Sequence, residues 1–244
     1  MKMITSRQNG LVKRIRALRD KKFRDMAGEY VVEGVKSVRD AASCGQKIEI
    51  IAATEKGAEL ISDLNFSTEI LSDDVFISVS EEVSPQGVLA IVKKPVPFGA
   101  ISGKTVFLDG VADPANVGAV IRSAAAFGYK NVLIADGADA YSGKAVRASM
   151  GGIFRVNVYY GSQSEMLALV DTPLIVADMH GETLDKVSVS DTHCLIIGNE
   201  AHGVSAKLKS LADKTVSIPM GSGMESLNAA VSAGIIMYAL TLQN

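Results

Sequence analysis

An arginine and an asparagine stand in a stretch of otherwise small and apolar residues, DPANVGAVIRSAAAFG (residues 113–128). Asp113 and Pro114 predict the start of a helix, and Gly128 predicts its end. One face of that helix combines three small side chains with a single cation, in the order Ala115, Gly118, Ala119 and Arg122. A guanidinium is rarely buried without a partner. The stretch therefore predicts one of two arrangements. Either this is a core helix whose arginine pairs with a buried acid, or the small side chains form a shallow groove that ends at the hydrogen-bond donors of the Arg122 guanidinium.

A second polar cluster follows an apolar run in LIIGNEAHGVS (residues 195–205). Gly198 and Gly203 allow the main chain to approach a ligand closely, and Asn199 and Glu200 bring polar groups to the end of a predicted strand. The alternative is an ordinary loop that ends at Ser205, the cap of the next helix.

A third cluster occupies IPMGSGMESLNAAVSAG (residues 218–234). Ser222 and Glu225 have the spacing of a capping box, and Ser226 is a candidate for a later cap. The helix that follows is apolar nearly all round, so we expect it to be buried, with Asn228 as a buried amide in its first turn. Its small residues predict close packing, either within the chain or across a dimer: Ala230, Ala233 and Gly234.

The strands that must position these clusters are predicted to form a parallel sheet. KTVFLDG, NVLIADG, PLIVADM and HCLIIGN are short, uniformly apolar runs that alternate with helical patterns. Each cluster then follows the carboxyl end of a strand, where open α/β sheets bind ligands. Upstream, EYVVEG, IEIIAAT and GVLAIVKK predict the strands of a smaller α/β domain. We therefore predict an α/β protein with a small domain over 1–94, a linker over 95–103 and a larger domain over 104–244.

Charge is distributed unevenly along the chain. The net charge is −2, yet residues 1–24 contain nine Lys or Arg and one acidic residue. A solvated amphipathic helix is the simplest interpretation of LVKRIRALRDKKFRD, but acidic partners are almost absent at helical spacing. A strip of one sign is also a plausible phosphate-binding surface. Four of its cations are therefore candidates for binding nucleic acid with a strong dependence on salt: Lys13, Arg14, Arg16 and Arg19.

Several classes of protein are disfavoured by what the sequence lacks. The three histidines have no metal-type spacing with cysteine or with one another, so we expect no metal site. There is no dinucleotide or phosphate-loop glycine fingerprint, and no Gly-x-Ser-x-Gly nucleophile motif. The first residues contain no apolar run, so we expect no secretory leader, and the most apolar stretch, 227–242, is too short and too polar for us to expect a membrane span. With two widely separated cysteines, these features predict a cytoplasmic protein with free thiols and no contact with membranes.

Together and in this order, the three clusters resemble the three signature motifs of the SpoU (TrmH) family, the 2′-O-ribose RNA methyltransferases of the SPOUT superfamily. KAVRASMGGIFRVNV is similar to the segment that this family has between the first two motifs, although Asn157 stands where relatives often have Pro. We expect that difference to affect only the start of a strand. SRQNGLVKRIRALRDKKFR, EYVVEG and SPQGVLA resemble the ribosomal-protein-like substrate-binding domain of many members.

The resemblance implies S-adenosylmethionine as the methyl donor, a deep trefoil knot, and a homodimer that completes the active site across its interface. Its catalytic positions match Asn116, Arg122, Glu200, Ser226 and Asn228. Its cofactor positions match Gly198, Asn199, Ile218, Met220 and Leu227. An arginine stays protonated in proteins, so our hypothesis is that Arg122 binds a phosphate or stabilises the developing alkoxide, with Asn116 as the positioning residue.

Alternatives remain at this point. Transfer RNA is a possible substrate beside ribosomal RNA, which the ribosomal-protein-like domain favours by analogy. A non-catalytic RNA-binding protein that keeps the fold is a second alternative, and the complete polar set argues against it. A nucleotide-dependent enzyme on a Rossmann-like sheet is a third, and the missing glycine fingerprint argues against it.

Overall fold

The computed structural model describes residues 3–96, 101–221 and 226–243. The chain forms two compact units. The first comprises Met1–Val96 together with Tyr141–Phe154, and the second comprises Pro97–Ala140 and Arg155–Asn244. The predicted linker, 95–103, lies in part outside the described residues.

The first unit is built on a four-stranded mixed sheet in the order β1-β4-β2-β3. β4 pairs antiparallel with β1 and β2, and β3 lies parallel to β2. The three predicted strands are confirmed, whereas the short β3 has no apolar run that would have predicted it. The strands are β1 (Glu29–Glu33), β2 (Ile48–Ala53), β3 (Thr68–Ile70) and β4 (Val88–Lys93).

The helices of the first unit cover its sheet: α1 (Gly10–Ala17), α2 (Lys21–Ala27), α3 (Val35–Ser43), α4 (Glu55–Glu59) and α5 (Asp73–Val79). The basic N-terminal segment, expected to be one helix, is two. Asp20 caps α2 by accepting a hydrogen bond from the Lys22 N–H at 2.8 Å. The buried guanidinium of Arg24 donates to the Leu18 and Arg19 carbonyl oxygens at 2.8 and 2.6 Å. These hydrogen bonds satisfy main-chain acceptors just after the end of α1, and they stabilise the interruption between α1 and α2.

A segment from the middle of the chain completes the first unit. It contains α7 (Gly143–Ala148) and a 3₁₀ turn (Gly152–Phe154). The ring of Tyr141 lies 4.8 Å from that of Tyr30, between centroids, and Arg147 pairs with Glu81 at 3.3 Å. Residues 141–154, which the sequence division places in the larger domain, thus pack with the smaller one.

The second unit contains a six-stranded sheet in the order β10-β8-β9-β5-β6-β7, and every pairing in it is parallel. The parallel sheet is therefore confirmed, and Asn157 does begin a strand. The polar KTVS strand β10 escaped prediction. The strands are β5 (Thr105–Asp109), β6 (Asn131–Ala135), β7 (Asn157–Gly161), β8 (Leu174–Thr183), β9 (Cys194–Gly198) and β10 (Lys214–Ser217).

Four helices pack on this sheet: α6 (Pro114–Ala126), α8 (Gln163–Leu167), α9 (Ala206–Leu211) and α10 (Ala229–Thr241). The core beneath them is apolar, with Phe107, Leu133 and Ile196 fully buried on three neighbouring strands. α6 also packs against α10, where the rings of Phe127 and Tyr238 lie 5.8 Å apart. Among the described residues, no helix is both long and apolar enough to cross a bilayer.

Candidate active site and cofactor cleft

Helix α6 places Arg122 at the surface. Asp113 caps the helix through a 2.9 Å hydrogen bond from the Ala115 N–H, Pro114 is its first residue, and Gly128 follows its end with φ +79°. The Arg122 side chain is exposed, and its guanidinium forms no hydrogen bond or ion pair with any described residue. The interpretation of a core helix with a paired arginine is therefore wrong, because the apolar residues around Arg122 face the core while the guanidinium does not.

Asn116 connects two other elements to α6. Its amide nitrogen donates to Glu200 Oε1 at 2.7 Å, and its amide oxygen accepts from the Asn228 side chain at 3.0 Å. The second carboxylate oxygen of Glu200 accepts from the Ala112 N–H at 3.3 Å. Three of the predicted catalytic residues therefore form one hydrogen-bonded chain.

Asn228 is the N-cap of α10 and is not within its first turn. Its side-chain oxygen accepts from the Ala230 and Val231 N–H groups at 2.9 and 3.2 Å. The expectation of a buried amide is wrong, because a cap residue lies outside the helix body and Asn228 is exposed. Ser226 is exposed two residues earlier, whereas Ser222 and Glu225, the expected capping box, lie outside the described residues.

The carboxyl group of Glu200 is held in its ionised form. Burial alone would raise the pKa of Glu200, but hydrogen bonds from the Asn116 amide and from main-chain N–H groups outweigh it, and the pKa lies below its usual range. Glu200 is thus an anion at neutral pH, and it acts here as an acceptor that fixes Asn116.

The loop after β9 folds back tightly on the strand. Asn199 and Gly203 exchange main-chain hydrogen bonds at 3.1 and 2.9 Å, and the Asn199 side chain donates to the Gly110 carbonyl at 2.8 Å. A Cβ at Gly198 would lie 2.1 Å from the Gly203 carbonyl carbon. Only glycine fits at position 198, because this main chain leaves no room for a side chain.

Two residues that the sequence did not single out support this loop. Asp109, at the end of β5, accepts from the Ser205 N–H and from the Gln163 side chain, both at 2.8 Å. Gln163 also donates to the Ser205 hydroxyl at 2.8 Å. The sequence could have indicated a role for Asp109 through its position at the carboxyl end of a predicted parallel strand.

An open cleft of about 410 Å³ adjoins the polar chain. Its volume is in the range of small-molecule sites, roughly 300–1,000 Å³. All five predicted cofactor positions line it, and Glu200 and Ser226 connect it to the catalytic set. The structure adds a wall that sequence reasoning missed: Ala177, Asp178, Met179, His180 and Lys209.

The cleft fits a ligand that is held largely by the main chain. The N–H groups of Met220 and Leu227 donate no hydrogen bond to any described residue, so both remain available to a ligand. Apolar side chains such as Ile197 and Ile236 supply surface for a flat base. Across 3–96, 101–221 and 226–243, no three His, Cys, Asp or Glu side chains are grouped as a metal site.

The four predicted RNA-binding cations differ in their surroundings. The Lys13 side chain is exposed, and its ammonium group has no partner among the described residues. Arg14 forms a bidentate pair with the buried Glu29 at 2.7 and 3.0 Å. Arg16 donates to the Ser78 hydroxyl at 2.8 Å, and Arg19 to the Ser80 carbonyl at 2.9 Å. Hydrogen-bonding partners for these cations are scarce in the neighbouring sequence, as expected, but the fold brings partners to three of them from later in the chain.

Two family models match this chain. Residues 103–238 match the SpoU rRNA Methylase family, and residues 9–90 match the MRM3-like substrate binding domain. The 23S rRNA (guanosine(2553)-2′-O)-methyltransferase RlmP of Bacillus subtilis (strain 168) is 33% identical over 252 residues, covering 98% of this chain and 99% of the relative. The 23S rRNA (uridine(2479)-2′-O)-methyltransferase of Streptomyces viridochromogenes is 30% identical over 263 residues, covering 98% and 92%.

A solved structure extends the likeness to the whole fold. The AdoMet-bound rRNA methyltransferase from Sinorhizobium meliloti superimposes with a TM-score of 0.86 at 27% identity, covering 98% of this chain and 97% of the other. The match to the family spans more than half of the chain, and full-length relatives share both units. The chain therefore belongs to the SpoU rRNA methylase family.

Proposed function

We propose that this SpoU-family methyltransferase transfers the methyl group of S-adenosylmethionine to a ribose 2′-hydroxyl of ribosomal RNA. One observation carries the proposal: the hydrogen-bonded chain from Asn228 through Asn116 to Glu200 adjoins a cleft with free main-chain donors. Such a site offers a place for the donor and fixed polar groups for the acceptor.

The cofactor supplies a methyl group on a positively charged sulfur, which is already a strong electrophile. The protein's tasks are alignment of the two reactants and handling of the hydroxyl proton. Asn116 is restrained from both sides, so its amide presents a fixed dipole beside the cleft. Ser226 and Glu200 line the cleft itself and are placed to contact either reactant.

Arg122 has the role of a cation for the RNA. A guanidinium is not deprotonated in proteins, so Arg122 does not abstract the hydroxyl proton. It is exposed and unpaired within the described residues, so it can form a bidentate contact with phosphate or stabilise the alkoxide that develops. The structure gives no contact between Asn116 and Arg122, since the Asn116 amide is bonded to Glu200 and Asn228.

Ribosomal RNA is the substrate that the comparisons favour. The match to the MRM3-like substrate binding domain and the named activities of two full-length relatives support it over transfer RNA. We assign RNA binding to the 1–94 domain, methyl transfer to 104–244, and the reaction to the cytoplasm. The trefoil knot belongs to the same proposal: the middle of β8, the segments after β9 and β10 and the start of α10 all line one cleft.

A homodimer is the assembly that we propose. Five large apolar side chains at or on α10 are between 38% and 68% exposed, and they recur at intervals of four, four, three and four residues: Leu227, Val231, Ile235, Tyr238 and Leu242. This spacing puts them on one face of the helix. An exposed apolar stripe of this length is typical of an interface, and a second copy of the chain would cover it.

The direct test is transfer of labelled methyl groups to purified RNA, followed by mapping of the modified ribose. We expect label in ribosomal RNA and none in transfer RNA. Arg122→Lys should lower turnover because a lysine cannot form the bidentate contact. Wild-type turnover with retained RNA affinity in this variant would contradict the role of Arg122, and label in transfer RNA alone would contradict the substrate.

A further inference from the structure

One ion pair lines the cofactor cleft among the described residues. Lys209 Nζ lies 2.5 Å from Asp178 Oδ2, on the wall formed by the middle of β8 and by α9. The Asp178 side chain is 14% exposed and that of Lys209 is 43% exposed. Neither residue was singled out in the sequence, and neither contacts the Asn116–Glu200 chain.

The pair retains hydrogen-bonding capacity on both sides. Asp178 Oδ1 accepts from the His180 N–H at 3.0 Å and Oδ2 accepts from Lys209. An ionised carboxylate offers about four acceptor positions and an ammonium group three donors. Two acceptor positions on Asp178 and two donors on Lys209 are therefore left for a ligand.

A neutral pair with an acceptor and a donor side by side complements a zwitterion. S-adenosylmethionine has such a group in its amino-acid end, whose ammonium and carboxylate are one carbon apart. Its base and ribose have no formal charge, and apolar side chains and main-chain groups elsewhere in the cleft suit them. Burying the amino-acid end without charged partners would be costly.

We infer that Asp178 binds the α-ammonium group and Lys209 the α-carboxylate group of the amino-acid end of S-adenosylmethionine. The inference rests on the cofactor cleft of the proposed function and extends it to two specificity-determining residues. Asp178 also holds Lys209 in place before the ligand arrives, which reduces the entropy lost on binding.

Calorimetry of the full-length protein with three ligands distinguishes the contact of Asp178 from that of Lys209. S-adenosylhomocysteine has both charged groups, decarboxylated S-adenosylmethionine has only the ammonium group of the amino-acid end, and 5′-methylthioadenosine has neither. We expect Lys209→Met to weaken S-adenosylhomocysteine about tenfold, the loss of one charge-assisted hydrogen bond. The same variant should leave the other two ligands within about twofold of wild type.

Asp178→Asn should weaken S-adenosylhomocysteine and decarboxylated S-adenosylmethionine, and spare 5′-methylthioadenosine. Lys207→Met is the matched control, because Lys207 lies on the same helix and does not line the cleft. Equal weakening of all three ligands, or no weakening of any, would overturn the inference. Failure of the wild-type protein to bind S-adenosylhomocysteine would instead overturn the proposed function.

Discussion

Asn116 Nδ2 donates a hydrogen bond to Glu200 Oε1 at 2.7 Å, and this contact ties helix α6 to the loop after β9. The two residues are 84 positions apart in sequence. The position of Asn116 therefore depends on the correct pairing of β5 with β9, which places the two strand ends side by side.

Asn116→Ala removes the donor to Glu200 and the acceptor for Asn228 together. We expect the rate of methyl transfer in single turnover to fall about 100-fold, as for the loss of one preorganised polar group. Binding of S-adenosylhomocysteine should stay at the wild-type level, because Asn116 does not line the cleft. Lys130→Met, at an exposed position after α6, serves as the control. A rate close to that of the control would show that the polar chain is not needed.

Gly198→Ala tests how closely the loop after β9 must approach the strand. The new Cβ would meet the Gly203 carbonyl carbon and the Val204 nitrogen at 2.1 and 2.2 Å, so the loop must move. We expect a loss of about 2–3 kcal/mol in the free energy of unfolding and weaker binding of S-adenosylhomocysteine. Thermal melts and calorimetry measure the two effects.

Gly203→Ala is the matched comparison for that variant. Position 203 has φ +67° but no neighbouring atom within 4 Å of a Cβ. Only the backbone conformation is then unfavourable, at a cost of about 1 kcal/mol. If Gly198→Ala melts and binds like Gly203→Ala, the steric argument is incorrect.

Lys13→Gln and Arg14→Gln separate RNA binding from stability. The Lys13 ammonium group has no partner within the described residues, so its loss should weaken RNA binding, reduce the salt dependence of that binding and leave the melting temperature unchanged. Arg14 pairs with Glu29, whose side chain is only 6% exposed and which also pairs with Lys93. Arg14→Gln should therefore also cost about 1–2 kcal/mol of stability, reduced by the exposure of Arg14 and by the remaining pair. Filter binding at two salt concentrations and melting curves measure both effects, and an unchanged RNA affinity in Lys13→Gln would remove Lys13 from the interface.

Val231→Lys tests the apolar stripe of α10. A charge in the middle of the stripe should convert a dimer to monomers in sedimentation velocity, because it would be buried against a second apolar surface. Leu211→Lys, at an exposed apolar position on α9 outside the stripe, is the control and should leave the dimer intact. Dimers that persist in Val231→Lys would place the interface elsewhere, and a monomeric wild-type protein would contradict the homodimer itself.

The features that could be predicted from the sequence are those that depend on residues close together in the chain. The cap at Asp113 and the strand ends that hold Glu200 follow from short-range rules, and the structure confirms them. The hydrogen bond between Asn116 and Glu200 could not be predicted from local rules alone, because it depends on which strands pair. Arg122 was ambiguous for the same reason: the exposed side of α6 is decided by its packing against α10.

Other features could not be predicted because the residues that form them lie outside the three polar clusters. Asp178 lies in the middle of β8, a strand that was identified, and Lys209 is an ordinary surface lysine by its neighbours in sequence. Only the fold brings the two within 2.5 Å. The KTVS strand β10 has one fully apolar residue, so its pairing with β8 must be specified by the rest of the sheet.

The return of residues 141–154 to the first unit has a consequence for how this protein can be divided. A recombinant fragment that ends at Val96 lacks the Tyr141 ring that packs on Tyr30 and the Arg147 that pairs with Glu81. It would expose apolar surface that the intact chain covers. For the same reason, an exchange of the first unit between relatives would require two separate pieces of the gene to be exchanged together, so the inheritance of the first unit is coupled to that of the second.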